Sequence, residues 1–175
     1  MKQLILGGAR SGKSTLAERL ATESSEEVIY IATATLAQSD IEMERRIRAH
    51  RDRRPDAWQL IEEPLNLAEA LRQNCATGRF LIVDCLTLWL SNILLVDEGR
   101  QFNQQTTALL SVLPELRGNL ILVSNEVGLG IVPLGELSRR FQDESGWLHQ
   151  QVAKLCDRVI LTVAGLPLIL KGDAI

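Results

Sequence analysis

At 175 residues the chain has room for one domain with a substantial core and too little for two ordinary ones, so a single domain over 1–175 is expected. A net charge of -3 and a pI near 5.5 argue against a surface built to neutralise nucleic-acid phosphates, and no nucleic-acid partner is expected. Cys75, Cys85 and Cys156 lie far apart without metal-type spacing, and Lys2 leads straight into the first apolar run, so a reduced, cytoplasmic setting without a leader peptide is the expectation.

In chain order, Lys2-Gln3-Leu4-Ile5-Leu6 reads as a first strand. Gly7-Gly8-Ala9-Arg10-Ser11-Gly12-Lys13-Ser14 follows it directly, and Thr15 to Ala21 reads as a helix with Leu16 and Leu20 four apart. Glycines at this spacing let the backbone curl until successive N–H groups converge on phosphate oxygens. Lys13 would reach the outer phosphates, and Ser14 would offer its hydroxyl to Mg²⁺ at a helix N-terminus whose dipole favours an anion. The competing reading is a chance match in a glycine-containing loop. The coincidence of strand, motif and helix tells against it.

Val28-Ile29-Tyr30-Ile31-Ala32 is the second expected strand, Phe80-Leu81-Ile82-Val83-Asp84 the third, Leu120 to Ser124 the fourth and Val159 to Val163 the fifth, with a short sixth at Leu168-Ile169-Leu170. Between them 41–54, 65–74, 86–95, 103–116 and 137–156 read as helical, with Asp40 and Asn66 as candidate caps. The apolar run around 86–96 is broken by Thr87, Ser91 and Asn92 and falls short of the roughly twenty residues a membrane span needs, so it reads as a buried helix. Unbroken apolar runs alternating with helices predict an α/β fold: three layers around a mainly parallel central sheet, as in phosphate-loop NTPases.

In such sheets ligands sit beyond the carboxyl ends of the strands. Asp84, after four apolar residues, has the pattern of the acidic group that holds Mg²⁺ in phosphate-loop proteins; a capping carboxylate is the plainer alternative. Thr33-Ala34-Thr35 suits a close approach of ligand to backbone, or an ordinary turn. The run from Asn125 to Pro133, apolar but for its first two residues and carrying Gly128 and Gly130, suggests a flexible wall over the pocket. The segment 44–55 gathers six arginines around His50. On a helix Met43, Ile47, His50 and Arg54 share one stripe, and surrounding cations would keep the imidazole neutral and nucleophilic. A solvated basic face with a bystander histidine is the alternative. His149 reads as a surface or packing residue, and Cys85 as packing.

Several of these segments, with others, carry a resemblance over nearly the full chain. They are the phosphate loop, Tyr30-Ile31-Ala32-Thr33-Ala34, Arg46-Ile47-Arg48-Ala49-His50-Arg51 leading to Arg54-Pro55 and Trp58, Glu62-Glu63-Pro64, Val83-Asp84-Cys85-Leu86-Thr87, Val123 to Pro133, and Ala164 to Lys171. Together they resemble the bifunctional adenosylcobinamide kinase/adenosylcobinamide-phosphate guanylyltransferase family of cobalamin biosynthesis. The resemblance implies phosphorylation of adenosylcobinamide with ATP or GTP. Transfer of GMP from GTP through guanylylated His50 to adenosylcobinamide phosphate would follow, with Mg²⁺ as cofactor. It further implies nucleotide contacts from Gly7, Gly8, Ala9, Arg10, Ser11, Gly12, Lys13 and Ser14, from Ala32, Thr33 and Ala34, and from Arg51, Asp52, Arg53, Arg54, Glu62 and Asp84, and it implies a homotrimer. Glu62 and Glu63 compete for one role, and the resemblance prefers Glu62 because it lies four residues after Trp58, as the family's pattern has it. Ala49 stands where relatives often carry a second histidine, which leaves His50 the less ambiguous nucleophile. A simple phosphate-loop kinase without a covalent histidine, and a slow nucleotide switch, are the competing functions. The missing Asn-Lys-x-Asp signature of regulatory GTPases speaks against the switch.

Overall fold

The computed structural model describes residues 1–34 and 54–175. The predicted helix over 41–54 lies outside these residues apart from Arg54, as do Thr35, Asp40, His50, Arg51, Asp52 and Arg53. Seven strands form one sheet: β1 (Lys2–Gly7), β2 (Glu27–Ala32), β3 (Gln59–Glu62), β4 (Arg79–Asp84), β5 (Asn119–Asn125), β6 (Arg158–Val163) and β7 (Leu166–Lys171). Their order is β3-β2-β4-β5-β1-β6-β7, with every pair parallel except β6 and β7. Five α-helices accompany them among the described residues: α1 (Lys13–Glu23), α2 (Leu67–Asn74), α3 (Leu86–Leu95), α4 (Phe102–Val112) and α5 (Glu136–Leu155).

The unbroken apolar runs are explained by burial on both faces. Leu4, Ile29, Leu81 and Leu122 face a layer that includes Leu71, Trp89, Leu109 and Leu148 of α2 to α5. Ile5, Tyr30, Ile82 and Val123 pack on the other face, with Leu16, Ala17 and Ala21 of α1. This is the three-layer, mainly parallel arrangement that the alternation of runs predicts.

Two expectations need correcting. The strand that follows β2 is not the run ending at Asp84 but β3, a four-residue edge strand after Trp58. Asn66 does occupy the position before α2, yet its side chain makes no capping bond. The Glu63 carboxylate instead holds the turn that precedes α2, one oxygen accepting the N–H groups of Leu65 (2.9 Å) and Asn66 (2.7 Å). Asn66 turns its own oxygen to the Gln105 amide at 3.2 Å.

Register decides where chemistry can happen. Gly7 lies opposite Asn125, Val123 opposite Asp84, and Ala32 opposite both Asp84 and Glu62. The carboxyl ends of β1, β5, β4, β2 and β3 therefore finish along one edge of the sheet.

Candidate active site

The phosphate loop leaves β1 at Gly7 and returns as α1 at Lys13. Ser11 N–H bonds Gly8 O (3.3 Å) and Leu16 N–H bonds Gly12 O (2.9 Å), so the turn is closed at both ends by its own backbone. Gly12 has φ +96°, a left-handed conformation that side chains disfavour, and Gly165 Cα lies 3.0 Å from where its Cβ would stand. Gly7 is more constrained still: a Cβ there would sit 2.6 Å from the Thr162 carbonyl oxygen. Gly165 N–H in turn donates to Ser11 O (2.9 Å), which fastens the loop to the β6–β7 turn.

Lys13 is largely buried, and its ammonium donates to Gly8 O at 2.9 Å, across the concave side of the loop. Burial lowers its pKa, while the field of Cys85 and Asp84 opposes that shift. Asp84 ends β4, and its Oδ2 accepts the Tyr30 hydroxyl at 2.5 Å. Burial raises the Tyr30 pKa further than any other cause, and Asp84 adds to the rise, so the phenol stays protonated and donates. The Arg54 guanidinium stacks on the Tyr30 ring, 4.3 Å from its centroid. One aromatic ring thus joins the carboxylate at the tip of β4 to Arg54, the last arginine of the segment 44–55.

Around this pair the backbone is tied by small polar side chains. Thr33 donates its hydroxyl to Cys85 O (2.8 Å) and accepts Cys85 N–H (3.0 Å), and Asn92 of α3 donates to Thr33 O (2.8 Å). Thr87 accepts Asn125 N–H (3.0 Å), linking the start of α3 to the tip of β5. Burial pushes the Cys85 thiol up to about 11, consistent with a packing residue. Glu63 N–H donates to Ala32 O (2.9 Å) while its carboxylate holds the turn before α2, and Glu62 is exposed at the end of β3.

Of the residues singled out in the sequence, Gly7 to Ser14, Ala32, Thr33, Ala34, Arg54, Glu62 and Asp84 lie at the carboxyl end of the sheet or in the segments leaving it. His50, Arg51, Asp52 and Arg53 lie outside the described residues. Tyr30 and Thr87 have no site role in the sequence reading; Tyr30 lies two residues before the end of β2 and Thr87 three residues after Asp84, and these positions are the signal for their contacts. A groove that includes Arg72, Cys75 and Arg117 lies at the opposite end of the strands and contains none of these residues.

The model of the cobinamide kinase / cobinamide phosphate guanyltransferase family matches residues 3–170. The chain belongs to that family. It is accordingly a bifunctional enzyme, a kinase and guanylyltransferase. The bifunctional adenosylcobalamin biosynthesis protein CobP of Pseudomonas aeruginosa is 61% identical over 173 residues, covering 99% of each chain. CobU of Escherichia coli K12, with the same description, is 35% identical and covers 95% of this chain and 97% of its own. A solved Pyrococcus horikoshii protein shares the fold at a TM-score of 0.55 and 12% identity, over 99% of this chain and 87% of that one. For this kinase/guanylyltransferase, nucleotide substrates are what the family requires, and the described residues contain no helix long and apolar enough to cross a membrane.

Proposed function

We propose that the enzyme phosphorylates adenosylcobinamide with ATP or GTP at the loop 7–14 and then forms a guanylylated His50. In the second step an imidazole nitrogen attacks the α-phosphorus of GTP, a P–N bond forms, and the bond to the β-phosphate breaks to release pyrophosphate. A phosphate oxygen of adenosylcobinamide phosphate then attacks the same phosphorus and the P–N bond breaks, which returns the histidine and yields adenosylcobinamide-GDP. The observation that carries this reading is the alignment of the loop 7–14, Asp84, Ala32 and Glu62 along one sheet edge, with Arg54 stacked on Tyr30 beside it.

In this reading the N–H groups of 8–14 bind phosphate oxygens, Lys13 balances their charge, and Arg51, Asp52, Arg53 and Arg54 with Ala32, Thr33 and Ala34 hold the nucleotide. Glu62 is preferred over Glu63 for guanine or ribose donors because the Glu63 carboxylate is engaged by the N–H groups of Leu65 and Asn66. Among the described residues no three His, Cys, Asp or Glu side chains cluster to cage a metal. Mg²⁺ seldom needs such a cage: one or two protein oxygens plus substrate phosphates suffice, and Ser14 and Asp84 offer that donor set. When bound, Mg²⁺ would neutralise charge on the phosphates. We place the enzyme in the cytoplasm as a single domain over 1–175 and, following the family, a homotrimer.

The test is incubation with Mg²⁺ and GTP labelled at the α-phosphate, beside a His50→Ala variant. An acid-labile, alkali-stable label on the wild type and none on the variant is expected. A folded, GTP-binding wild type that takes no label would leave a simple kinase as the better account.

A further inference from the structure

Helix α5 carries Ser145, Leu148, His149 and Val152 on its buried stripe, and two of these are polar. A histidine among leucines and valines is costly unless its nitrogens are engaged. His149 Nε2 is 2.7 Å from the hydroxyl of Ser124, itself fully buried on β5. Nδ1 lies 4.0 Å from Glu126 Oε2, an electrostatic contact longer than a hydrogen bond. The other oxygen of Glu126 accepts Gly128 N–H at 2.6 Å and so closes the turn that leaves β5. Seven residues before His149 on the same helix face, Gln142 donates to Val127 O at 3.1 Å.

The segment held this way touches the phosphate loop. Glu126 N–H donates to Gly7 O at 3.0 Å, and Asn125 pairs with Gly7 across the β1–β5 ladder. Ser124, His149 and Glu126 have the order of a hydrolytic triad, but a serine with no exposed surface cannot meet a substrate, which leaves positioning as the function of the chain. We propose that His149 and Gln142 are positioning residues for phosphoryl transfer. From α5 they reach residues 124–128 by a hydrogen bond at Ser124, a 4.0 Å approach at Glu126 and a hydrogen bond at Val127, and they set the backbone that braces Gly7. The inference rests on the reading that residues 7–14 hold the nucleotide phosphates.

The two histidine nitrogens can be tested apart. His149→Gln keeps a polar group at the Nε2 position, toward Ser124, and gives up the one facing Glu126; His149→Asn does the reverse. We expect His149→Gln and Gln142→Ala to lower kcat for phosphorylation of adenosylcobinamide on the order of tenfold, the scale of small misplacements of reacting groups. Melting temperature and the affinity for a fluorescent GTP analogue should stay near wild type, and His149→Asn should recover much of the lost rate. If Gln142→Ala and His149→Gln keep the wild-type kcat, or if all three variants lose activity only in step with folded protein, the proposal is overturned. Gln142→Ala, at a partly exposed position, reads the idea even where the histidine variants do not fold. Lys13→Ala in the same binding assay keeps the two readings distinct: undiminished nucleotide affinity there would overturn the assignment of the loop 7–14, whatever the α5 variants do.

Discussion

Tyr30 shows how one side chain can serve both core and site. Its ring fills the α1 face of the sheet while its hydroxyl donates to Asp84. Tyr30→Phe keeps the packing and deletes the donor, so a stability loss of ~2 kcal/mol is expected from removing a hydrogen bond to a charged acceptor. Denaturant unfolding of the two proteins measures it, and an unchanged midpoint would mean that Asp84 finds an equal partner. His149 has its own pH signature. Burial lowers its pKa below the ordinary 6.5, against the opposing field of Glu126. The unfolded chain therefore takes up the proton first. The stability contribution is complete above 6.5 and is lost as pH falls from there through the lowered value. Below pH 6.5 the unfolding midpoint should fall less steeply for His149→Gln than for wild type, and parallel curves would show that His149 is not the titrating group. Neither contact was legible in the sequence: Tyr30 and Asp84 are 54 positions apart, Ser124 and His149 25, and nothing in local periodicity pairs them.

At the scale of elements, α5 ends without a glycine, at Cys156 in extended conformation. The role falls to Lys171 of β7, whose ammonium donates to the carbonyls of Ala153 (2.9 Å), Lys154 (3.1 Å) and Cys156 (2.6 Å). A cation at three C-terminal carbonyls meets both their unpaired acceptors and the negative end of the dipole. Lys171→Met should cost ~1–2 kcal/mol and raise amide exchange in the last turn of α5, measured by hydrogen–deuterium exchange; protection equal to wild type would show that water replaces the lysine. The long apolar strands and amphipathic helices were readable because burial on two faces leaves a continuous hydrophobic run. β3 was not, since Gln59-Leu60-Ile61-Glu62 is short and half exposed at an edge. The end of the predicted helix 103–116 also differs: Pro114 lies in a 3₁₀ turn, Leu113–Glu115, after α4 stops at Val112.

For the molecule as a whole, the three thiols sit free and buried in different parts of the core. Burial raises Cys75 and pushes Cys85 and Cys156 up to about 11 and about 12. Native protein at pH 8 should leave all three unmodified by an aromatic disulfide reagent and expose all three in denaturant; a thiol that reacts early would mark a region that opens locally. The motif residues of the site were legible because phosphate chemistry demands fixed types at fixed spacing, whereas their mutual placement comes from strand order. β5 stands between β1 and β4. Two inter-strand steps put the tips of those strands about 9.5 Å apart. Were β1 and β4 direct neighbours, Asp84 and the start of the loop that leads to Lys13 would be half as far apart across the sheet. The intervening strand acts as a spacer that sets the acidic tip of β4 two strand widths from the glycine-rich loop leaving β1, so a ligand that reaches both must span β5.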